Sequence, residues 1–144
     1  MIQRTDIYTA INLLLKSRYP DYKTYGHEVI EGYKKPSFFV DLVPKNVSNE
    51  SVRFKKYTYT INITYFQEVA NEIDNLKKTD EMQELFGYHL KVGNEFLAIT
   101  DFTYDFIGEN TNILQLSFSM EYIEYNKKQQ IVTANEIAIN IEKR

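Results

Sequence analysis

Two histidines, His27 and His89, are the side chains best suited to proton transfer near neutral pH. His27 stands between Gly26 and Glu28 in a predicted turn, and His89 falls at a predicted helix end. A histidine–carboxylate pair at either place could do acid–base work. No nucleophile or second ligand lies at a spacing that completes such a site, so an ordinary structural histidine is the better reading of both. Among the acids, Asp101 and Asp105 share one face of a predicted strand, while Glu121 and Glu124 lie across a hairpin on opposite faces. Glycoside cleavage needs two carboxylates flanking a cleft, and a flat hairpin face supplies none, so solvation explains them. The glycines at 26, 32, 87, 93 and 108 form no phosphate-cradling loop, and no serine occupies a nucleophile elbow. With no cysteine, a disulfide scaffold, a cysteine zinc site, a thiolate nucleophile and an iron–sulfur cluster are excluded. The expectation is no catalytic, cofactor-binding or metal-ligating residue, and no enzyme.

One cluster remains. Arg53, Lys55 and Lys56 surround Phe54 and precede Tyr57. Cations interleaved with rings could grip nucleic acid through phosphates and stacking. The net charge of −3 opposes this, so no specific nucleic-acid partner is expected. Two readings fit better: a charged strand end that discourages edge aggregation, or one side of a contact between subunits or with another protein. Arg53, Phe54 and Tyr57 are the candidate contact residues.

The elements that would position these residues follow from periodicity. Ile7, Ala10, Ile11, Leu14 and Leu15 mark one face of a helix over 5–17, with Thr5 or Asp6 as N-cap and Pro20 as terminator. Ser37–Val43 reads as a strand with Phe38, Val40 and Leu42 on one face, closed by Pro44, and 45–51 reads as a polar loop. The strongest pattern is Tyr57, Tyr59, Ile61, Ile63 and Tyr65 alternating with Thr58, Thr60, Asn62 and Thr64, a half-buried strand. Over 69–90 the apolar face moves: Val69, Ile73 and Leu76 form one stripe, and Met82, Leu85, Phe86 and His89 another. Two short helices, or one broken near Thr79-Asp80, are predicted.

Gly93-Asn94 can turn a hairpin. Residues 96–106 and 113–125 then form a long hairpin with their apolar even positions on one face. That register sets Tyr104 near Leu116, Phe102 near Phe118 and Asp101 opposite Ser119. The other face carries Leu97, Ile99 and Ile123, more apolar surface than solvent exposure explains. Covering by another segment or subunit is expected there. Residues 1–126 are read as one domain and 127–144 as an arm, whose Ile137-Ile139-Ile141 alternation suits pairing with a sheet edge of its own subunit or a neighbour's. No run approaches the ~20 apolar residues of a membrane span, and Leu13–Leu15 is too short for a signal-peptide core. A soluble protein with no membrane partner is expected.

The order of elements, the stretch Tyr25-Gly26-His27-Glu28 through Gly32-Tyr33-Lys34-Lys35-Pro36-Ser37-Phe38-Phe39-Val40, the basic entry Arg53-Phe54-Lys55-Lys56 and the strand ending Tyr65-Phe66 together resemble a known family. The chain is similar, over roughly residues 3–125, to the small tail terminator (tail completion) proteins of phages and phage-tail-like particles in Gram-positive bacteria. The resemblance implies an α+β subunit, with helices on one face of an antiparallel sheet, here of four to five strands. It implies a homo-oligomeric ring, a hexamer, on the head-proximal end of the tail tube, with the tube protein, the sheath and the head connector as partners. Such a ring stops tube polymerisation and needs no cofactor. The location implied is the virion or tail-like particle, assembled in the host cytoplasm. Another tail-tube or head–tail joining protein, or a small nucleic-acid-binding module, remain the alternatives.

Overall fold

The strand pattern at 57–65 becomes the centre of the molecule. In the computed structural model, which describes residues 2–26 and 32–125, this segment lies within β3 (Phe54–Phe66). It pairs antiparallel with β2 (Ser37–Asn49) on one side and β6 (Ile113–Tyr125) on the other. The sheet continues through β5 (Glu95–Ile107) to β4 (His89–Val92), and β1 (Lys23–Tyr25) adds to β2 in parallel. The order is β1-β2-β3-β6-β5-β4. The expected four to five antiparallel strands are thus six in a mixed sheet, because the short segment after the first helix joins the edge of β2 in parallel.

Cross-strand register puts one apolar set on one face. Phe38 opposes Tyr65, Val40 opposes Ile63, and Ile61 lies between Leu42 and Phe118. Leu114, Leu116 and Met120 continue the set, and α1 (Arg4–Arg18) covers it with Ile7, Ile11 and Leu15, all buried. The four-residue spacing of those three side chains makes the helix amphipathic. Its start differs from expectation. Gln3 is the N-cap, and its backbone N–H donates to the Asp6 carboxylate at 3.0 Å, so Asp6 serves from the third helical position.

Three local expectations are corrected. Pro44 does not end its strand: β2 runs on to Asn49, absorbing 45–49 from the expected loop, with a register shift between Pro44 and Asn46. The proline is tolerated because β1 pairs only with Ser37–Phe39, and no other described strand pairs with the outer edge of β2 from there on. In β5 a second shift falls between Thr100 and Thr103, and Asp101 there has φ +56°. The extra residue swaps the faces of the strand. Leu97 and Ile99 therefore turn into the core, Thr100 rather than Asp101 opposes Ser119, and Phe96 and Ala98 turn outward. Beyond the bulge Tyr104 opposes Leu116, and the Phe102 ring packs tilted against Phe118, centroids 5.1 Å apart, as expected. The Gly93-Asn94 turn also forms, with Val92 opposite Glu95. The arm at 127–144 lies outside the described residues.

The third correction concerns α2 (Glu72–Phe86), which is one unbroken helix. Its inner face is Asn75, Lys78, Met82 and Phe86, all buried. Ile73 and Leu76 point outward, 65 and 51% exposed, while Val69, 76% exposed, lies in the bend before the helix rather than on it. Replacing Met82 by alanine should therefore cost about 2–5 kcal/mol in urea unfolding. Leu76→Ala should change stability by less than about 0.5 kcal/mol. Equal losses would contradict this assignment of the two faces.

Candidate assembly surfaces

The buried polar residues of α2 explain its orientation. Lys78 is 5% exposed, and its ammonium lies over the rings of Tyr65 (5.2 Å), Tyr19 (5.3 Å) and Tyr22 (5.5 Å). It donates to Asp74 Oδ1 at 3.1 Å and sits 3.5 Å from Glu81 Oε2. Tyr65 Oη donates to Asp74 Oδ2 and Tyr19 Oη to Glu81 Oε2, each at 2.7 Å, and Gln67 Nε2 adds a third donor to Asp74 at 3.0 Å. A lone buried ammonium would be strongly unfavourable, but this one has two carboxylates and three π faces. The same groups tie α2 to β3 and to the end of α1. Asn75 makes a further tie, donating from Nδ2 to the Asn112 carbonyl at 2.9 Å.

This cage sets the titration of its members. Burial works against ionising Asp74, but hydrogen bonds from Tyr65, Gln67 and Lys78 outweigh it and hold the carboxyl below its usual value of 3.8. Burial likewise disfavours charged Lys78, and Asp74, with Tyr22 and Glu81, overcomes it and raises the amine above 10.5. Burial, then the bonds to Glu81 and Asp74, push the hydroxyls of Tyr19 and Tyr65 up. A lowered acid stabilises the fold above its unfolded pKa and loses that contribution as pH falls through the folded value. Raised Lys and Tyr groups contribute fully below their unfolded pKa and lose it as pH rises through the folded one. Stability should therefore be level between about pH 5 and 9 and fall on both sides. Lys78→Met should cost about 1–2 kcal/mol at pH 7 in urea unfolding and weaken the pH dependence at both ends. A profile unchanged by the substitution would contradict the cage.

The candidate contact residues separate in space. Arg53 is exposed in the bend between β2 and β3, its N–H donating to Ser51 Oγ at 3.1 Å. Phe54 opens β3 and packs on Tyr125, ring centroids 4.6 Å apart. Tyr57 stacks on Tyr122 at 4.9 Å on the core side of the sheet, so odd-even alternation turns it away from Phe54. Arg53 and Phe54 thus share the hairpin tip, and Tyr57 completes the core margin. Lys56 is paired with Glu121 at 3.3 Å across the strands.

His89 begins the edge strand β4, exposed, with Phe96 at 6.3 Å. His27 lies outside the described residues. Asp101 sits at the β5 bulge, and Glu124 accepts the Ile2 N–H at 2.7 Å. Among the described residues no three His, Cys, Asp or Glu side chains gather to hold a metal ion.

On the face away from the helices, Thr58, Thr60, Asn62 and Thr64 of β3 align with Glu121, Ser119, Ser117 and Gln115 of β6. An aromatic cluster closes one end: Phe39 lies 5.0 Å from Phe66 and 5.1 Å from Tyr33, and Tyr25 Oη accepts the Lys34 N–H. The Gly-Tyr-Lys-Lys-Pro-Ser-Phe-Phe-Val stretch therefore wraps the sheet end, with Tyr33 and Phe39 on the open face and Phe38 and Val40 in the core. Ile73 and Leu76 of α2, with Val69 in the bend before it, form an outward aliphatic patch. Its signal was the shifting apolar face of 69–90.

A family model described as phage tail terminator protein matches residues 6–132. The chain belongs to that family. Membership gives this tail terminator family protein a structural role in phage tail completion, in association with other phage proteins and with the virion. A solved structure shares the fold at 12% identity, with a TM-score of 0.50 over 88% of this chain and 97% of that one. No curated protein matches the chain. No described helix is long and apolar enough to cross a membrane.

Proposed function

We propose that copies of this chain close into a ring, six-membered as the resemblance implies, that caps the head-proximal end of a tail tube. There the ring stops polymerisation and offers its far side to the head connector and, in a contractile tail, to the sheath. The subunit is assembled in the host cytoplasm and stays in the particle.

The observation that carries this reading is the inverted helix α2. It is held firmly by its polar inner face and presents Ile73 and Leu76 to the outside, with Val69 exposed in the bend just before it. A cluster of exposed aliphatic side chains on a rigid element is the usual mark of a protein contact. A ring needs head-to-tail contacts, hence two different patches on each subunit. The α2 stripe supplies one. The β2–β3 tip, with Arg53 and Phe54, supplies a second, because Tyr65 near α2 and Phe54 stand near opposite ends of β3. Arg and aromatic residues are the types that most often dominate such contacts.

Electron microscopy of tails from a strain lacking this protein should show overlong or headless tails. Tails of normal length carrying heads would refute the capping role, and a purified protein that polymerises along its own axis would identify a tube subunit instead. Arg53→Ala with Phe54→Ala should leave the subunit folded while weakening ring formation and tail-length control. Unchanged assembly would remove the hairpin tip from the contact.

A further inference from the structure

Among the described residues the outer edges of β2 and β4 are not alike. From Val40 onward the outer edge of β2 carries Pro44 and a register shift, both of which spoil pairing with another strand. The outer edge of β4 carries neither. Its hairpin has a two-residue loop closed by Val92 and Glu95, which fixes the alternation of hydrogen bonds. Val92 and Leu90 bond inward to β5, so the N–H and C=O groups of His89 and Lys91 point outward, where no described strand pairs with them.

Alongside that edge runs an open groove of about 900 Å³ between β4 and α1. Its apolar lining comes from Ile2, Ala10, Leu13 and Leu14 on one side and Leu90 and Val92 on the other, with Leu85 of α2 adding to it. Leu13 is 64% exposed, although it lies on an otherwise core-covering helix.

We propose that residues 137–141 of the same chain fill this groove as a seventh strand on β4. The length fits. The helix wall from Asp6 to Ser17 extends about 16 Å. Five extended residues span about 17 Å. The chemistry fits as well, since Ile137, Ile139 and Ile141 alternate with Ala138 and Asn140. Three isoleucines on one face meet Leu13, Leu14 and Leu90, and the strand's backbone meets the outward groups of His89 and Lys91.

The starting point favours the chain's own segment over a neighbour's. The end of β6 is fastened beside the groove, because Glu124 accepts the Ile2 N–H at 2.7 Å and Ile2 lines the groove. Residues 126–136 then reach about 36 Å when extended, ample to pass β5 and β4. The segment covers the edge most open to unwanted pairing. This inference does not rest on the capping role.

Hydrogen exchange of the 88–92 backbone tests it in the intact chain, at concentrations where the mass is that of one subunit. The comparison variants are Ile137→Asp with Ile139→Asp, and separately Leu13→Asp, whose side chain is already exposed. The His89 and Lys91 amides should exchange at least ~10-fold more slowly in the intact chain than in both variants, with β3 amides unchanged as the check on folding. Equal rates in all three would overturn the proposal. Protection that appears only when subunits associate would overturn it too, by assigning the segment to a neighbouring copy. Tail length, the readout of the capping role, is independent of either result.

Discussion

The position of one ammonium group organises the outside of this protein. Lys78 is buried among Tyr19, Tyr22 and Tyr65, with Asp74 and Glu81 as counter-charges. Once that group is placed inward, the rotation of α2 is fixed. Met82 and Phe86, four and eight positions further along, must also face the sheet, and Ile73 and Leu76 must face out. Hydrophobicity alone would accept either side of the first half of the helix. Leaving two carboxylates without a cation in a half-buried setting would be unfavourable, and this resolves the choice. The consequence is an exposed aliphatic face, Ile73 and Leu76, that an isolated domain would prefer to cover.

The sheet provides the stiffness such a surface requires. β3 and β6 pair along almost their whole lengths, and every core side chain on them belongs to one face. The opposite face is mainly Thr, Ser and Asn, closed at one end by Tyr33, Phe39 and Phe66. A subunit that works by surface matching in a phage tail gains from that division. Its interior sets the shape, and its exposed Ile73 and Leu76 sit on an element whose position is locked from inside.

Much of this was legible in the residues. The amphipathic first helix, the alternating strand at 57–65, the Gly93-Asn94 turn and the register near Tyr104 all follow from local period and turn chemistry. The features that escaped depend on partners distant in sequence. Pro44 reads as a stop unless one knows that the outer edge of its strand is unpaired. The bulge at Asp101 reverses Leu97 and Ile99, and no period-two analysis contains a one-residue insertion. Asp74, Lys78 and Glu81, at four- and three-residue spacing, look like a solvated salt-bridge ladder. Only the convergence of Tyr19, Tyr22 and Tyr65 from other elements turns that ladder inward. The candidate trio was split for a simpler reason: Phe54 and Tyr57 are three apart, and an odd offset on a strand sends side chains to opposite faces.

The proposed ring makes the outer face of α2 a protein contact in the finished particle. Oxidative footprinting of Ile73 and Leu76, compared between the free subunit and purified tails, tests it directly. Both side chains should label strongly in the free subunit and lose that labelling in the tail, with exposed residues away from the contact unaffected. Labelling of Ile73 and Leu76 that is the same in both states would contradict it.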